Sequence, residues 1–171
     1  MTPRKERMHK MHIDTTFDKA ERLVQLLTER DWRISAAESC TGGMLAASLV
    51  DVPSTSSVFD ASFVTYSNES KTRYLGVPCS LIEEHGVVSE PVAVAMAEGV
   101  AKANGAQVGV GISGIAGPTG GSPEKPIGTV CFGFYLNGRS FARTVHFGDL
   151  GRQAVRRASV EYVYDTLLTE L

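Results

Sequence analysis

Cysteine is scarce in this chain. Cys40, Cys79 and Cys131 are the only three in 171 residues, and no CxxC pair occurs. An odd, scattered set builds no disulfide framework. No apolar run approaches the ~20 residues that a membrane-spanning helix needs. A large excess of charge of one sign is missing too. Lys and Arg number 17 against 19 Asp and Glu, leaving a formal net charge of −2 and an isoelectric point near 6.1. That balance supplies no global field to draw the chain to nucleic acid or to an acidic membrane. Histidine is sparse: His9 and His12 lie near the start, and His85 and His146 stand far apart. With no ligand-spaced cluster, neither a metal nor another cofactor is expected.

The opening residues, Met1 to Lys10, are charged and lack the apolar stretch of a signal peptide. Together with the unpaired cysteines this sets a cytoplasmic, reducing compartment as the expectation. Arg4, Lys5, Arg7 and Lys10 form either a nucleic-acid arm or a solvated terminus. Residues 1–14 are read as a flexible tail ahead of one domain, 15–171. Apolar residues at 43% and charged residues at 21% are ordinary for a globular domain. A chain of this size buries roughly two-thirds of its unfolded surface without staples.

Thr15, three residues before Asp18, predicts a capped helix over 16–30, with Phe17, Ala20, Val24 and Leu27 on one face. Trp32 to Ala37 reads as a buried strand. It runs through a polar turn, Glu38-Ser39-Cys40-Thr41-Gly42-Gly43, into a helix from Met44. A strand is expected over 60–67, then a short helix capped by Asn68. A second short helix is expected with a Ser80/Glu83 capping box and a stop at Gly86. Ser89-Glu90-Pro91 opens a helix to Asn104, and Gly105 stops it. Val108 to Ile112 is a strand. Thr129–Tyr135 and Ser140–Phe147 form a hairpin about Asn137-Gly138. Residues 152–170 close the chain as a helix. The alternation predicts a three-layer α/β/α sandwich around a mixed, mostly parallel sheet. In such sheets ligands sit beyond the carboxyl ends of the strands, where segments 38–43, 65–71 and 113–128 fall.

Three segments carry side chains suited to chemistry. Ser39 stands in a strand-to-helix turn, where free amides could hold an anion or an oxyanion. Ser39 is then a nucleophile, or else Ser39 or Thr41 is simply a helix cap. Cys40 is the competing nucleophile, or a buried thiol behind the turn. Tyr66 ends the second strand, and Lys71 falls on the first turn of the next helix. There the positive helix end would lower its pKa and suit it to act as a base. The alternative is a solvated lysine. The stretch from Ser113 to Gly128 holds Gly114, Gly117, Gly120, Gly121 and Gly128 with Pro118, Pro123 and Pro126. It fits neither phosphate-loop fingerprint, yet glycine there permits close backbone approach to a ligand. Asp149, Arg152, Arg156 and Arg157 surround the start of the last helix. Arg156 is either a phosphate clamp or part of a solvated face.

Four ordered motifs resemble the CinA C-terminal domain family: Ala37-Glu38-Ser39-Cys40-Thr41-Gly42-Gly43, Thr65-Tyr66-Ser67-Asn68 with Lys71, Gly86-Val87-Val88-Ser89-Glu90-Pro91-Val92, and Ser113-Gly114-Ile115-Ala116-Gly117-Pro118 with Gly120-Gly121. The resemblance covers about residues 17–170. It implies the stand-alone type, similar to nicotinamide-nucleotide amidases, which deamidate nicotinamide mononucleotide to nicotinate mononucleotide and ammonia. It further implies Ser39 as nucleophile and Tyr66 and Lys71 as its activating partners. A substrate-binding set of Thr41, Gly42, Gly43, Ser113, Gly114, Gly117, Gly120, Gly121 and Arg156 would accompany them. The partner expected is a small pyridine mononucleotide, with no membrane and no nucleic acid, and with room for a homo-oligomer. The rival readings are a nucleotide-binding module without turnover and a competence- or DNA-damage-associated factor.

Overall fold

The computed structural model describes residues 15–171. The expected tail, its basic arm and His9 and His12 lie outside the described residues. Helix α1 (Thr16–Glu29) begins as anticipated: the Thr15 hydroxyl accepts from the Asp18 amide, and the Asp18 carboxylate accepts from the Thr15 amide. Strand β1 (Ile34–Glu38) follows, then α2 (Met44–Val50), β2 (Phe63–Val64), α3 (Asn68–Leu75), α4 (Cys79–His85) and α5 (Glu90–Asn104). Strands β3 (Val108–Gly114), β4 (Thr129–Leu136) and β5 (Arg139–His146) precede α6 (Arg152–Glu170). The sheet order is β2-β1-β3-β4-β5. The first three strands are parallel, and β4 and β5 continue antiparallel. A two-residue turn at Asn137-Gly138, with φ of 45° and 101°, closes the hairpin.

Helices cover both faces. Val108, Val110 and Ile112 of β3 point into the larger core with Ala20, Leu23 and Leu27 of α1 and Val163 and Leu167 of α6. On the opposite face α5 lies unusually near the sheet, and glycine explains why. A Cβ on Gly109, Gly111 or Gly133 would come within 2.1, 2.2 and 2.0 Å of α5 carbonyl oxygens. The alternating Val-Gly-Val-Gly of β3 therefore presents bulk to one helical layer and bare backbone to the other.

Three local expectations are corrected. The strand over 60–67 shrinks to Phe63–Val64, because the chain turns away to start α3. Ser67 rather than Asn68 caps α3, its hydroxyl accepting from the Ser70 amide. Ser80 sits inside α4, whose cap is Pro78 with no side-chain bond; Pro78, at φ −62° and ψ 133°, starts the helix two residues earlier.

Candidate active site

The turn after β1 is held by a buried carboxylate. Glu38 accepts from the amides of Gly43 and Leu45 at 3.1 Å and of Ala46 at 2.9 Å. It is fully buried. A carboxylate at a helix start satisfies orphan donors with charge-assisted bonds. Glu38 thus replaces the expected Ser39 or Thr41 cap, and the Ser39 hydroxyl is left for other work. Gly42 and Gly43 adopt φ of 59° and 94°, the left-handed region that the tight turn demands. Their amides, expected to face a ligand, are used internally: Gly42 donates to the Ser39 carbonyl at 3.1 Å, and Gly43 to Glu38. Thr41 is buried as well, and its hydroxyl has no partner among the described residues.

Lys71 reaches the same turn from α3. Its Nζ lies 3.1 Å from Ser39 Oγ and donates to the Thr65 carbonyl at 2.6 Å. Only 1% of Lys71 is exposed. Among the described residues no carboxylate pairs with it. Burial is the chief cause that pulls its pKa below 10.5. A Cys40 thiolate would oppose that shift, but burial pushes the Cys40 thiol up to about 11, so it stays neutral near pH 7. The expected cause, the helix end, is weaker: with Ser67 as cap, Lys71 is the fourth helical residue and its amide already bonds the Ser67 carbonyl.

Ser39 and Lys71 border an inner chamber of about 200 Å³, which Cys40, Ser113, Tyr66 and Arg152 also line. Tyr66, Gly114 and Arg152 continue into an outer cleft of about 510 Å³, where Gly117, Gly120 and Lys125 join them. Tyr66 is 63% exposed, and its hydroxyl accepts from Arg152 Nη2 at 2.8 Å. It therefore pairs with Arg152 and not with Ser39. Arg152 Nη1 donates to the Gly117 carbonyl at 2.9 Å, tying α6 to the glycine-rich loop. Lys125 Nζ donates to the His85 carbonyl at 3.1 Å across the cleft.

Two expected contacts fall elsewhere. Arg156 is absent from the cleft lining. Its Nε donates to the Cys40 carbonyl at 3.0 Å and its Nη2 to the Thr41 carbonyl at 2.9 Å, so the guanidinium grips the turn and is not poised as a free phosphate clamp. Gly121 packs inside its loop, where a Cβ would come 2.9 Å from the Ile127 amide nitrogen. Ser113 lines the chamber, yet its hydroxyl is committed to the Val87 carbonyl at 2.7 Å. Glu38, Arg152 and Lys125 are site residues to which the sequence reasoning gave no role. Arg152 carried one available signal: it precedes Arg156 by four residues, on the same helix face.

Comparison with known proteins gives the family and the fold. The CinA C-terminal domain model matches residues 16–171. A CinA-like protein of Syntrophobacter fumaroxidans is 50% identical over 127 residues, covering 73% of this chain and 30% of that protein. A CinA-like protein of Mycobacterium tuberculosis is 51% identical over 138 residues, 80% and 32% of the two. The chain thus spans about a third of these curated relatives. Among solved structures, competence/damage inducible protein CihA from Agrobacterium tumefaciens superposes with a TM-score of 0.87 at 37% identity, over 90% of this chain and 94% of that one. A competence-damaged protein (CinA) superfamily member from Escherichia coli gives 0.89 at 34% identity, over 92% and 91%. A family model over nearly all described residues, with the four motifs gathered about one cleft, establishes that this chain belongs to the CinA C-terminal domain family.

Proposed function

We propose that the chain is a serine amidohydrolase that converts nicotinamide mononucleotide to nicotinate mononucleotide and ammonia. The observation that carries the proposal is the buried, carboxylate-free Lys71 amine 3.1 Å from Ser39 Oγ at the wall of the inner chamber. A neutral lysine can donate one hydrogen to the Thr65 carbonyl and still offer its lone pair to the serine proton. Lys71 takes that proton as Ser39 Oγ attacks the carboxamide carbon. It then returns the proton to the amide nitrogen, and ammonia departs. A water attacks the resulting ester with Lys71 again as base, which frees Ser39 and the carboxylate product.

The outer cleft suits the rest of the substrate. Lys125 and Arg152 are cations at its wall, and Gly114, Gly117 and Gly120 let a sugar phosphate lie against backbone. Tyr66 then contacts substrate and orients Arg152, and the base role falls to Lys71. The three described cysteines are free thiols, and no described helix is long and apolar enough to cross a membrane, which fits a cytoplasmic enzyme. Ammonia release from nicotinamide mononucleotide by the purified chain, compared with Ser39→Ala, tests the proposal. No ammonia above the Ser39→Ala background would reject it in favour of a nucleotide-binding module.

A further inference from the structure

Six of the eight backbone amides from Ser39 to Ala46 donate to another residue. Ser39 donates to Ile112, Gly42 to Ser39 and Met44 to Thr41, while Gly43, Leu45 and Ala46 share the Glu38 carboxylate. That leaves Cys40 and Thr41: the Cys40 amide meets only its own thiol, and the Thr41 amide finds no acceptor among the described residues. The carbonyls show the reverse pattern. Those of Cys40 and Thr41 are the two that Arg156 grips from α6, at 3.0 and 2.9 Å. A trans peptide plane sets its N–H opposite its C=O. The direction of the Cys40 carbonyl therefore fixes that of the Thr41 amide.

We propose that Arg156 is a positioning residue: by holding the Cys40 and Thr41 carbonyls, it fixes the turn so that the Cys40 and Thr41 amides serve the oxygen of the carbonyl that Ser39 attacks. The inference rests on the serine amidohydrolase reading above. An amide that follows the nucleophile directly is well placed for this task. Such donors act through preorganisation, so their value depends on a turn that does not relax as charge develops. Lysine cannot replace the guanidinium, because its single ammonium lacks the rigid fork that spans two carbonyls.

A fluorophosphonate probe separates this inference from the substrate assignment. The probe needs only the nucleophile, its base and the oxygen-binding donors. Ser39 Oγ bonds phosphorus, the P–F bond breaks, the serine proton passes to Lys71, and fluoride leaves. Labelling rates would be measured for the wild type, Arg156→Lys and Arg156→Ala, the last with and without added guanidinium chloride. Expected are a loss of about 10²-fold in labelling for Arg156→Ala, a similar loss for Arg156→Lys and partial rescue by guanidinium. In the amidase assay kcat should fall while KM stays near the wild-type value. Circular dichroism establishes that each variant is folded, and Arg156→Lys serves if Arg156→Ala is not. Wild-type labelling in the folded variants would overturn the inference and leave the serine reading standing. A rise in KM with kcat intact would overturn it too, since Arg156 would then be a substrate contact. Arg156-dependent labelling without ammonia release would uphold the inference and remove only the substrate. A wild type that does not label would bring down both.

Discussion

Lys71 Nζ sits 3.1 Å from Ser39 Oγ although the two residues come from different layers of the chain, one after β1 and one on α3. The Thr65 carbonyl, 2.6 Å from the same Nζ, fixes the amine at the mouth of the strand pair. Burial without a carboxylate partner disfavours the ammonium, so the group meets the first requirement of a base.

Lys71→Ala should lower kcat strongly, by at least the 10²–10⁴-fold typical of a lost general base. Lys71→Arg should not restore it, because guanidinium stays protonated at working pH. In the wild type, kcat/KM should rise with pH as Lys71 loses its proton, through a value below 10.5, and then level off. Full activity in Lys71→Arg, or a pH profile flat across that range, would sink the base assignment.

The neighbouring thiol behaves differently. Burial lifts Cys40 to about 11, so little thiolate exists near neutral pH. Ser39→Ala should abolish ammonia release, whereas Cys40→Ala should retain readily measurable turnover. Finding the opposite pattern in a steady-state assay would mean that the nucleophile is the thiol.

A depressed lysine pKa also has a signature in stability. The unfolded chain keeps the Lys71 proton up to about 10.4, and the native state loses it earlier. Between those two values the unfolded state binds more protons, so stability gains with rising pH. Lys71→Met removes this term. Its melting temperature relative to wild type should be most favourable at low pH and should decline as pH rises through the window. Parallel melting curves for the two proteins over that range would show that Lys71 titrates normally.

Glu38 gives a stability prediction of another kind. A hydrogen bond to a charged group is worth about 1.5–3 kcal/mol, and three amides share this carboxylate. Glu38→Ala should cost at least the upper end of that range in urea unfolding and should lower kcat, because the Ser39 turn loosens. Glu38→Gln should lie between, since one amide oxygen remains as acceptor while its NH₂ faces donors. An unchanged unfolding midpoint in Glu38→Ala would show that water satisfies these amides equally well.

The layers were legible in the sequence because periodicity reports burial, and the hairpin because Asn-Gly adopts its turn at low strain. Glu38 was not. A charged residue at the end of an apolar strand looks like the start of solvent, and only the curl of the chain brings three amides to its carboxylate. Arg156 was legible as a useful cation but not in its target, since carbonyl acceptors carry no sequence signal. Tyr66 fell beside Lys71 in the motif, yet a neighbour in sequence need not face the same atom; its hydroxyl turned to Arg152. The glycines of β3 and β4 went unread because they serve the approach of α5 and no chemistry.

That approach leads to the last prediction. A Cβ on Gly133 would meet the Ala93 carbonyl oxygen at 2.0 Å, and one on Gly99 would meet the Leu75 carbonyl oxygen at 2.1 Å. Both contacts are to backbone, so a helix must move. Overpacking of this sort typically costs about 1–3 kcal/mol, and both Gly133→Ala and Gly99→Ala should lower the melting temperature. They should differ in activity. Gly133→Ala pushes α5 away from β4. Gly99→Ala instead presses on the end of α3, the helix that carries Lys71. A misplacement of about 1 Å can cost 10²-fold in rate. At a temperature where both variants are fully folded, Gly99→Ala should therefore lose more kcat than Gly133→Ala. Equal rates in the two folded variants would show that Lys71 is placed by its own bond to Thr65 and not by the packing of α3 on α5.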